Sequence, residues 1–564
     1  MPRRLLAIVV LLATACLPPP PTSDVAPTQD DKPVVRRLLA ARKPGEIYQP
    51  GEVRSFAVRQ GGHRIGTSWG RYVGPTASGG HRFETRIELE VPGRAAVRSA
   101  GELELDASGR VVKGFERSDA VELTFERKTD VLVFSDGEKT DEIGYAPERV
   151  DTAVMAHSAI LHAELMFALR EITTGELAWR LVSLSGGPPI EWSAKVLDAT
   201  DDGERIRLET SLGEIVTLAE GRVNSIEVID SQLEIVAEPN PQWPKFAIKG
   251  PQRLAYAPAA DAHFTLRELE LPGKADEPAL AGELVIPSGV TSKAPAVLFV
   301  SGTGLEDRHG YAGPPPVDLG SHELTDALAE AGFVVLRFDE RGRGKSEAGA
   351  LGFLAQVSDA RRALATLLVQ PEVDPDRIVV IGHGEGGLRA LVLASERSQD
   401  VHAVALLATP GRPYEQILRA QADGQLARLP PETREQARTQ QKQMLDDLVS
   451  GKRTPPELEP QAQWLREIFA VRPAELVGRL RVPLLLAQGG KDFEVDPGAD
   501  PEALARAARR AKVKHELKRY PQLDHLFKPE PNASGPERYL VDRRVDTVFI
   551  ADVIAWAKRV TTAK

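Results

Sequence analysis

Residues 377–390, RIVVIGHGEGGLRA, place a Gly-rich turn between an apolar run and a stretch that favours helix. Two kinds of site use such a turn. Gly382, Gly384 and Gly387 match G-x-G-x-x-G, the loop that holds the pyrophosphate of a dinucleotide. The stretch from Gly382 to Gly386 also matches G-x-S-x-G, the elbow that presents a nucleophile above a sheet, except that its centre is Gly384.

The surroundings of the turn favour the elbow. A dinucleotide site needs an acidic residue at the end of the next strand to hold the ribose hydroxyls. That strand, AVALLATPG, ends instead in Thr409 and Pro410. Apolar runs typical of earlier strands also precede the turn, whereas a dinucleotide-binding unit normally opens its sheet.

Four further segments accompany the elbow in the order found in one known family. They are SGTGLEDRHG (301–310), FDERGRGKS (338–346), GGKDFEV (489–495) and LDHLF (523–527). With them, the region from about 260 to 560 resembles the α/β-hydrolases of the secreted esterase and serine aminopeptidase-like type, whose elbow reads GHSEGG. The resemblance implies an α/β-hydrolase fold that binds and hydrolyses a carboxylic ester or an aminoacyl or peptide bond, with no cofactor.

The same resemblance assigns roles to individual residues. Asp492 matches the acid and His525 the base of a catalytic triad, in the chain order elbow, Asp, His that this fold uses. Asp496 is a nearby competitor for the role of the acid, and Asp524 is a weaker one. The residue at the nucleophile position is Gly384.

An oxyanion hole is implied as well. In the family its two backbone N–H groups match those of Glu385, which follows the centre of the elbow, and of Thr303 in the SGTG loop. Backbone donors do not depend on their side chains, so the hole is expected to persist without the serine. We expect Asp307 and Arg308, just after that loop, to form an ion pair that holds it.

Gly384 has no side-chain atom that could attack a carbonyl, so an acyl-enzyme at this position is excluded. Ser301, Thr303 and Ser346 are the nearest hydroxyls by motif position, but none lies on an elbow. Two functions remain. One is a weak or water-mediated hydrolase in which His525 activates water, and the other is a catalytically inactive hydrolase-fold protein that binds its ligand on the cell envelope.

The motifs lie among nearly continuous apolar runs separated by helical segments. The runs are ALAGELVIP (279–287), PAVLFVSG (295–302), FVVLRFDE (333–340), RIVVIGH (377–383), VHAVALLA (401–408) and VPLLLAQGG (482–490). Such runs are typical of strands buried on both faces of a parallel sheet, so residues 258–562 are predicted to form the α/β-hydrolase domain. Residues 412–480 have helical periodicity and are predicted to be a cap inserted over the carboxyl end of the sheet.

Residues 46–250 follow a different pattern. Short segments such as FETRIELEV (83–91) alternate apolar and polar residues between turns such as DASG and DDGE, which predicts half-buried antiparallel strands. One segment, DTAVMAHSAILHAELMFALREI, has helical spacing. We expect a curled antiparallel sheet with a helix in its concavity, and the role of this β-rich domain is not readable from its residues.

The first 45 residues carry a targeting pattern. MPRR is a basic n-region, LLAIVVLLATA an apolar h-region, and ATAC resembles the lipobox of bacterial lipoproteins. We therefore expect residues 1–15 to be a signal peptide and Cys16, the only cysteine, to anchor an exported protein in a membrane of the cell envelope. Residues 16–45 are rich in proline and are predicted to be a tether.

Charge and spacing exclude other classes of protein. A formal net charge of -10 argues against a nucleic-acid partner, which would require a basic surface. His309, His322 and His383 lack the spacing of metal ligands, so no metal site is expected. The expected partners are a small ester or peptide ligand and, through the lipid anchor, a membrane.

Overall fold

The structure of the protein is a computed structural model. It describes residues 36–562 except 91–96, 119–121, 130, 136–139, 145–151, 155–158, 184–189, 201–202, 212, 229–231, 249, 251–253, 274–276, 303–305, 313–316, 427–430, 455–457, 459–460, 533–534, 536–537 and 540. The chain divides into two compact units, with the change from one to the other at residues 253 and 254. The predicted signal peptide and Cys16 lie outside the described residues.

The described part of the N-terminal unit contains one large sheet, a two-stranded sheet and two helices. Its strands are β1 Arg37–Leu39, β2 Val53–Gln60, β3 His63–Pro75, β4 His81–Leu89, β5 Val97–Leu105, β6 Val111–Ser118, β7 Glu122–Lys128, β8 Val131–Ser135, β9 Thr140–Gly144, β10 Thr152–Val154, β11 Ile172–Thr173, β12 Glu176–Ser183, β13 Ile190–Ala199, β14 Arg205–Thr210, β15 Glu214–Ala219, β16 Arg222–Val228 and β17 Leu233–Ala237. Its helices are α1 Pro44–Ile47 and α2 Ala159–Ala168.

Fifteen of these strands form a single sheet in the order β10-β12-β13-β14-β15-β16-β17-β2-β3-β4-β5-β6-β7-β8-β9. Neighbouring strands pair antiparallel except β10 and β12, which are parallel. The alternation of apolar and polar residues explains the sheet, because it gives each strand one buried face. The antiparallel β-rich domain predicted from the sequence is confirmed.

Helix α2 packs against both halves of this sheet. Leu165 and Ala168 belong to an apolar cluster with residues of β4 to β8, including Phe83. Met166 and Phe167 belong to a second cluster with residues of β2 and of β13 to β16. The sheet therefore curls around the helix, as its strand pattern predicts.

The C-terminal unit contains an eight-stranded sheet with helices between its strands. The strands of the unit are β18 Phe264–Leu271, β19 Leu280–Pro287, β20 Ala294–Val300, β21 Tyr311–Ala312, β22 Val317–Asp318, β23 Val334–Phe338, β24 Val373–His383, β25 Ala403–Leu407, β26 Leu484–Gly489 and β27 His515–Tyr520. The helices are α3 Ser321–Glu330, α4 Phe353–Leu368, α5 Glu385–Glu396, α6 Tyr414–Leu426, α7 Pro431–Ser450, α8 Ala462–Phe469, α9 Pro473–Arg479, α10 Ala499–Arg510 and α11 Thr547–Thr562.

The order of the eight strands is β18-β19-β23-β20-β24-β25-β26-β27. Strand β19 runs antiparallel to both neighbours, and the pairs from β23 to β27 are parallel. Successive residues of a strand point to opposite faces. Leu298 and Val380 accordingly join one apolar cluster while Val297 and Val379 join another. The sheet is thus buried on both faces, which explains the continuous apolar runs.

Helices α6 to α9 fill the segment between β25 and β26, where the sequence predicts a helical cap. In the part of the chain that is described, no helix combines the length and the apolar character needed to cross a membrane.

Candidate active site

The Gly-rich turn is a sharp bend between β24 and α5. Gly384 has φ +54° and ψ −122°, a conformation that favours glycine, and its N–H donates to the carbonyl of Leu407 at 2.8 Å. A Cβ on Gly382 would lie 2.4 Å from the carbonyl oxygen of Gly386, and one on Gly386 would lie 2.2 Å from that of Ser301. The flanking glycines are therefore required by close backbone contacts.

Gly384 differs from those glycines because a Cβ on it would meet no backbone atom closer than 3.7 Å, although its positive φ favours glycine. A Cβ built on it would come no closer than 3.3 Å to another atom, and that atom is Nε2 of His525. The next contacts are Cε1 of His525 at 3.6 Å and Cα of Gly302 at 3.7 Å. The elbow thus brings a bare alpha carbon against an imidazole nitrogen.

The other nitrogen of that imidazole is held by a carboxylate. Nδ1 of His525 lies 2.9 Å from Oδ2 of Asp492, and both side chains are buried. Oδ2 also accepts from Nε2 of Gln488 at 2.8 Å, while Oδ1 accepts the N–H groups of Glu494 and Val495 at 2.8 and 2.9 Å. With four donors around it, Asp492 is fixed and directs Nε2 of the ring toward the elbow.

The two competing aspartates have other partners. Asp496 accepts the N–H groups of Gly498 and Ala499 at the start of α10, at 2.8 and 2.7 Å. Asp524 pairs with Arg543 at 2.7 Å and accepts the N–H of Leu526. Asp492 is therefore the carboxylate that orients His525.

One of the two predicted oxyanion donors can be placed. Glu385 is the first residue of α5, and the first N–H groups of a helix have no acceptor inside the helix. Thr303, the other predicted donor, lies outside the described residues. Its neighbour Gly302 reaches the elbow with its Cα and donates its N–H to Oε1 of Glu306 at 3.1 Å.

Two of the three hydroxyls considered as substitutes for the serine, those of Ser301 and Ser346, are engaged elsewhere. Ser301 donates to Oε1 of Glu340 at 2.5 Å, and Ser346 donates to the carbonyl of Asp339 at 2.9 Å. Arg389 joins the first network, since it donates to Glu340 at 2.9 Å and to the carbonyl of Ser301 at 2.8 Å. These contacts hold the start of the SGTG loop in place.

The ion pair expected between Asp307 and Arg308 is not formed. Arg308 binds Asp339 instead, with its Nε and Nη2 at 3.1 and 2.8 Å from the two carboxylate oxygens. Asp307 accepts the N–H groups of His309 and Tyr311 at 2.9 Å each. Adjacent residues in a turn point in different directions, so this expectation was wrong, although Arg308 still ties the loop to the sheet.

Only the second strand of the eight-stranded sheet, β19, runs antiparallel to the others. The elbow follows the carboxyl end of the fifth strand, β24. Residues 320–532 match the profile of a family described as serine aminopeptidase, S33. The C-terminal unit has the α/β-hydrolase fold.

Several esterases are similar to part of this chain. The esterase EstD of Thermotoga maritima is 27% identical over 283 residues, which are 49% of this chain and 65% of EstD. The chain therefore matches slightly less than two thirds of that relative. The structure of the esterase Pf2001 of Pyrococcus furiosus is 18% identical, with a TM-score of 0.37 over 55% of this chain and 97% of that one. A thermostable carboxyl esterase of Bacillus coagulans is 15% identical, with a TM-score of 0.36 over 53% and 99%.

The hydrolase domain also contains a carboxylate that the sequence analysis missed. Glu494 is buried, and its Oε2 lies 3.6 Å from Nε2 of His525, on the side away from Asp492. Its Oε1 accepts a hydrogen bond from the hydroxyl of Tyr539. The only signal in the sequence is that Glu494 follows Asp492 by two residues, and nothing in it indicates Tyr539.

The two carboxylates determine the charge of the imidazole. Burial by itself lowers the pKa of His525, but the charges of Asp492, Glu494 and Asp524 and the hydrogen bond to Asp492 raise it to about 9. His383, whose ring centroid is 4.7 Å from that of His525, is the opposite case. Burial and the neighbouring imidazolium lower the pKa of His383 to about 3. At neutral pH the site therefore holds one imidazolium between two carboxylates.

Among the helices between β25 and β26, α8 reaches the elbow through Trp464. Its indole N–H donates to Oε1 of Glu385 at 3.3 Å, and its ring packs edge-on against Tyr414 of α6 with centroids 5.3 Å apart. Both aromatic side chains are buried. Helix α8 therefore contacts the first turn of α5, a contact that the sequence did not reveal.

One group of side chains has the composition of a metal site. Ligand atoms of Asp318, His322 and Glu323 lie within 4.8 Å of one another. Nδ1 of His322 lies 3.0 Å from the carbonyl oxygen of His309, and the ammonium of Lys528 donates to the carbonyl of Asp318 at 2.7 Å. The lysine supplies positive charge to both carboxylates, so these contacts account for the group without a cation.

Proposed function

We propose that the hydrolase domain binds a carboxylic ester, or an aminoacyl or peptide bond, above Gly384 and hydrolyses it slowly by attack of water. The observation that carries this proposal is the position of His525, whose Nε2 would be 3.3 Å from a Cβ on Gly384. The esterase relative and the match to the serine aminopeptidase family support the class of substrate.

Water replaces the serine in this scheme for a steric reason. The space that a serine side chain would occupy lies against Nε2 of His525, where a water molecule can accept or donate a hydrogen bond. Serine hydrolases that lose their triad keep about 10³–10⁴-fold acceleration over the uncatalysed reaction, because the oxyanion hole and substrate binding remain. Slow turnover is therefore the expected level of activity.

A second function is favoured by the charge of the site. With a pKa of about 9, only about 1% of His525 is neutral at pH 7, so little of it can accept a proton. An imidazolium between carboxylates is suited to binding a polar ligand without reaction. The alternative is therefore a hydrolase-fold protein that binds its ligand and has lost turnover.

Turnover of p-nitrophenyl acetate and of an ethyl ester by the full chain decides between the two functions, with His525→Gln as the matched variant. The hydrolase predicts slow, saturable release of acid that falls at least tenfold in His525→Gln. The binding protein predicts saturable ester binding with rates equal in the two proteins. A fluorophosphonate probe should not label the wild type, and stoichiometric labelling would reveal a protein nucleophile and contradict the proposal.

We further propose that the protein is exported and anchored to the cell envelope through a lipid on Cys16. The basic, apolar and small-residue segments of residues 1–16 support it. Fatty-acid labelling that Cys16→Ser abolishes is the expected result, and labelling that persists in this variant would contradict the proposal.

A further inference from the structure

Glu494 is a buried carboxylate with one oxygen uncommitted. Its side chain is about 1% exposed, and Oε1 accepts from Tyr539. Oε2 has no hydrogen-bond donor among the described residues. Burying a charged oxygen without such a donor is costly, so this arrangement requires a functional explanation.

The position of this oxygen beside His525 supplies a functional explanation. Oε2 of Glu494 is 3.6 Å from Nε2 of His525, the nitrogen that faces Gly384. Asp492 lies on Nδ1, the opposite nitrogen. The imidazole is therefore held between two carboxylates, and Glu494 contacts the nitrogen that faces the elbow.

The two carboxylates differ in how many of their oxygens already accept hydrogen bonds. Four donors already occupy the oxygens of Asp492, so it can orient the ring but has no free position for a water molecule. Glu494 has Oε2 free for a proton. Tyr539 fixes the other oxygen, and the pKa of this tyrosine is raised well above its usual value by burial and by Glu494, which keeps it a neutral donor.

We propose that Glu494 is the general base that activates water, and that protonated His525 is the general acid that protonates the leaving group. This inference rests on the proposed hydrolase function. It resolves the difficulty that His525 is already protonated at neutral pH, because the imidazolium is then the reactive form. A carboxylate base and an imidazolium acid that lie 3.6 Å apart beside the elbow form an acid–base pair.

The step balances in atoms and charge. Oε2 of Glu494 takes a proton from water as the water oxygen bonds to the carbonyl carbon, and the π electrons move to the carbonyl oxygen. When the adduct collapses, the C–O or C–N bond breaks and the leaving group takes the proton from Nε2 of His525. The proton on Glu494 then passes to Nε2. One water is consumed, the acid and the alcohol or amine are released, and nothing is oxidised or reduced.

The first test compares Glu494→Gln with Glu396→Gln, an equivalent change at a partly exposed residue of α5 that pairs with Arg361. General acid–base catalysis contributes about 10²–10⁴-fold. Glu494→Gln should therefore lower kcat for an ethyl ester at least 100-fold with little change in KM, while Glu396→Gln stays at the wild-type rate. Tyr539→Phe keeps the carboxylate of Glu494 but removes the hydrogen bond to its Oε1, and should lower kcat about tenfold. This variant replaces Glu494→Gln in the test if Glu494→Gln does not fold.

The second test uses pH and the leaving group. If His525 is the acid, hydrolysis of an ethyl ester falls as pH rises through about 9, the pKa of His525. His525→Gln should also slow the ethyl ester more than the p-nitrophenyl ester, whose leaving group departs without a proton. Rates that instead rise through pH 9 would assign the base to His525.

The outcomes separate this inference from the function on which it rests. Wild-type turnover with equal rates in Glu494→Gln and Glu396→Gln overturns the role of Glu494 and leaves the hydrolase function standing. Ester binding without turnover in the wild type overturns both. Turnover that is lost in Glu494→Gln, with a descending limb near pH 9, supports both.

Discussion

The protonated state of His525 has a measurable effect on stability. The pKa of its imidazole rises from 6.5 to about 9 on folding because Asp492 and Glu494 outweigh the effect of burial. A shift of this size corresponds to about 3 kcal/mol of folding free energy. Because the folded pKa is the higher one, this stabilisation is fully present below pH 6.5 and is lost as pH rises through about 9.

The variant His525→Gln isolates this effect, because the other titrating groups are common to both proteins. Urea unfolding of the full chain at pH 6, 7.5 and 9.5 should show that the wild type is more stable than His525→Gln. This difference in the free energy of unfolding should be smaller at pH 9.5 than at pH 6 by about 3 kcal/mol. Imidazole nitrogen shifts in NMR should report the titration of His525 directly. A titration at or below pH 6.5, or a stability difference independent of pH, would refute the arrangement of charges around this ring.

Two further predictions concern buried ion pairs. Arg389→Met leaves Glu340 buried without its cation and should cost about 3–5 kcal/mol in urea unfolding, and a loss below 1 kcal/mol would contradict the pairing. In the N-terminal unit Glu164 is fully buried and accepts from Tyr48, Arg54 and Arg222. Glu164→Gln should destabilise that unit by about 2 kcal/mol without changing ester turnover, and an unchanged unfolding curve would contradict this.

The fold of the hydrolase domain could be predicted because burial on both faces dictates composition. Runs such as PAVLFVSG and RIVVIGH form β20 and β24 as neighbouring parallel strands. The alternation of residues in 83–91 likewise corresponds to β4 in an antiparallel sheet. The order of the eight strands was not predicted, since nothing in the local sequence places β20 between β23 and β24.

The site was predictable where the motifs place residues at strand ends. Asp492 and His525 follow β26 and β27, and the structure brings them within hydrogen-bond distance. Glu494 could not be recognised, because its burial and its free oxygen depend on Tyr539, which lies 45 residues further along the chain. The partner of Arg308 could not be predicted from its neighbour in the sequence either. It depends on the direction in which the turn points each side chain.

The central claim is that His525 and Asp492 converge on the bare alpha carbon of Gly384. Fluorophosphonate labelling of Gly384→Ser tests it most directly, with Gly384→Ala as the matched control. Both substitutions carry the same backbone strain at φ +54°, so only the hydroxyl distinguishes them. The account predicts stoichiometric labelling of Gly384→Ser that is lost when His525→Gln is added, and none of Gly384→Ala. A folded Gly384→Ser protein that stays unlabelled would contradict it.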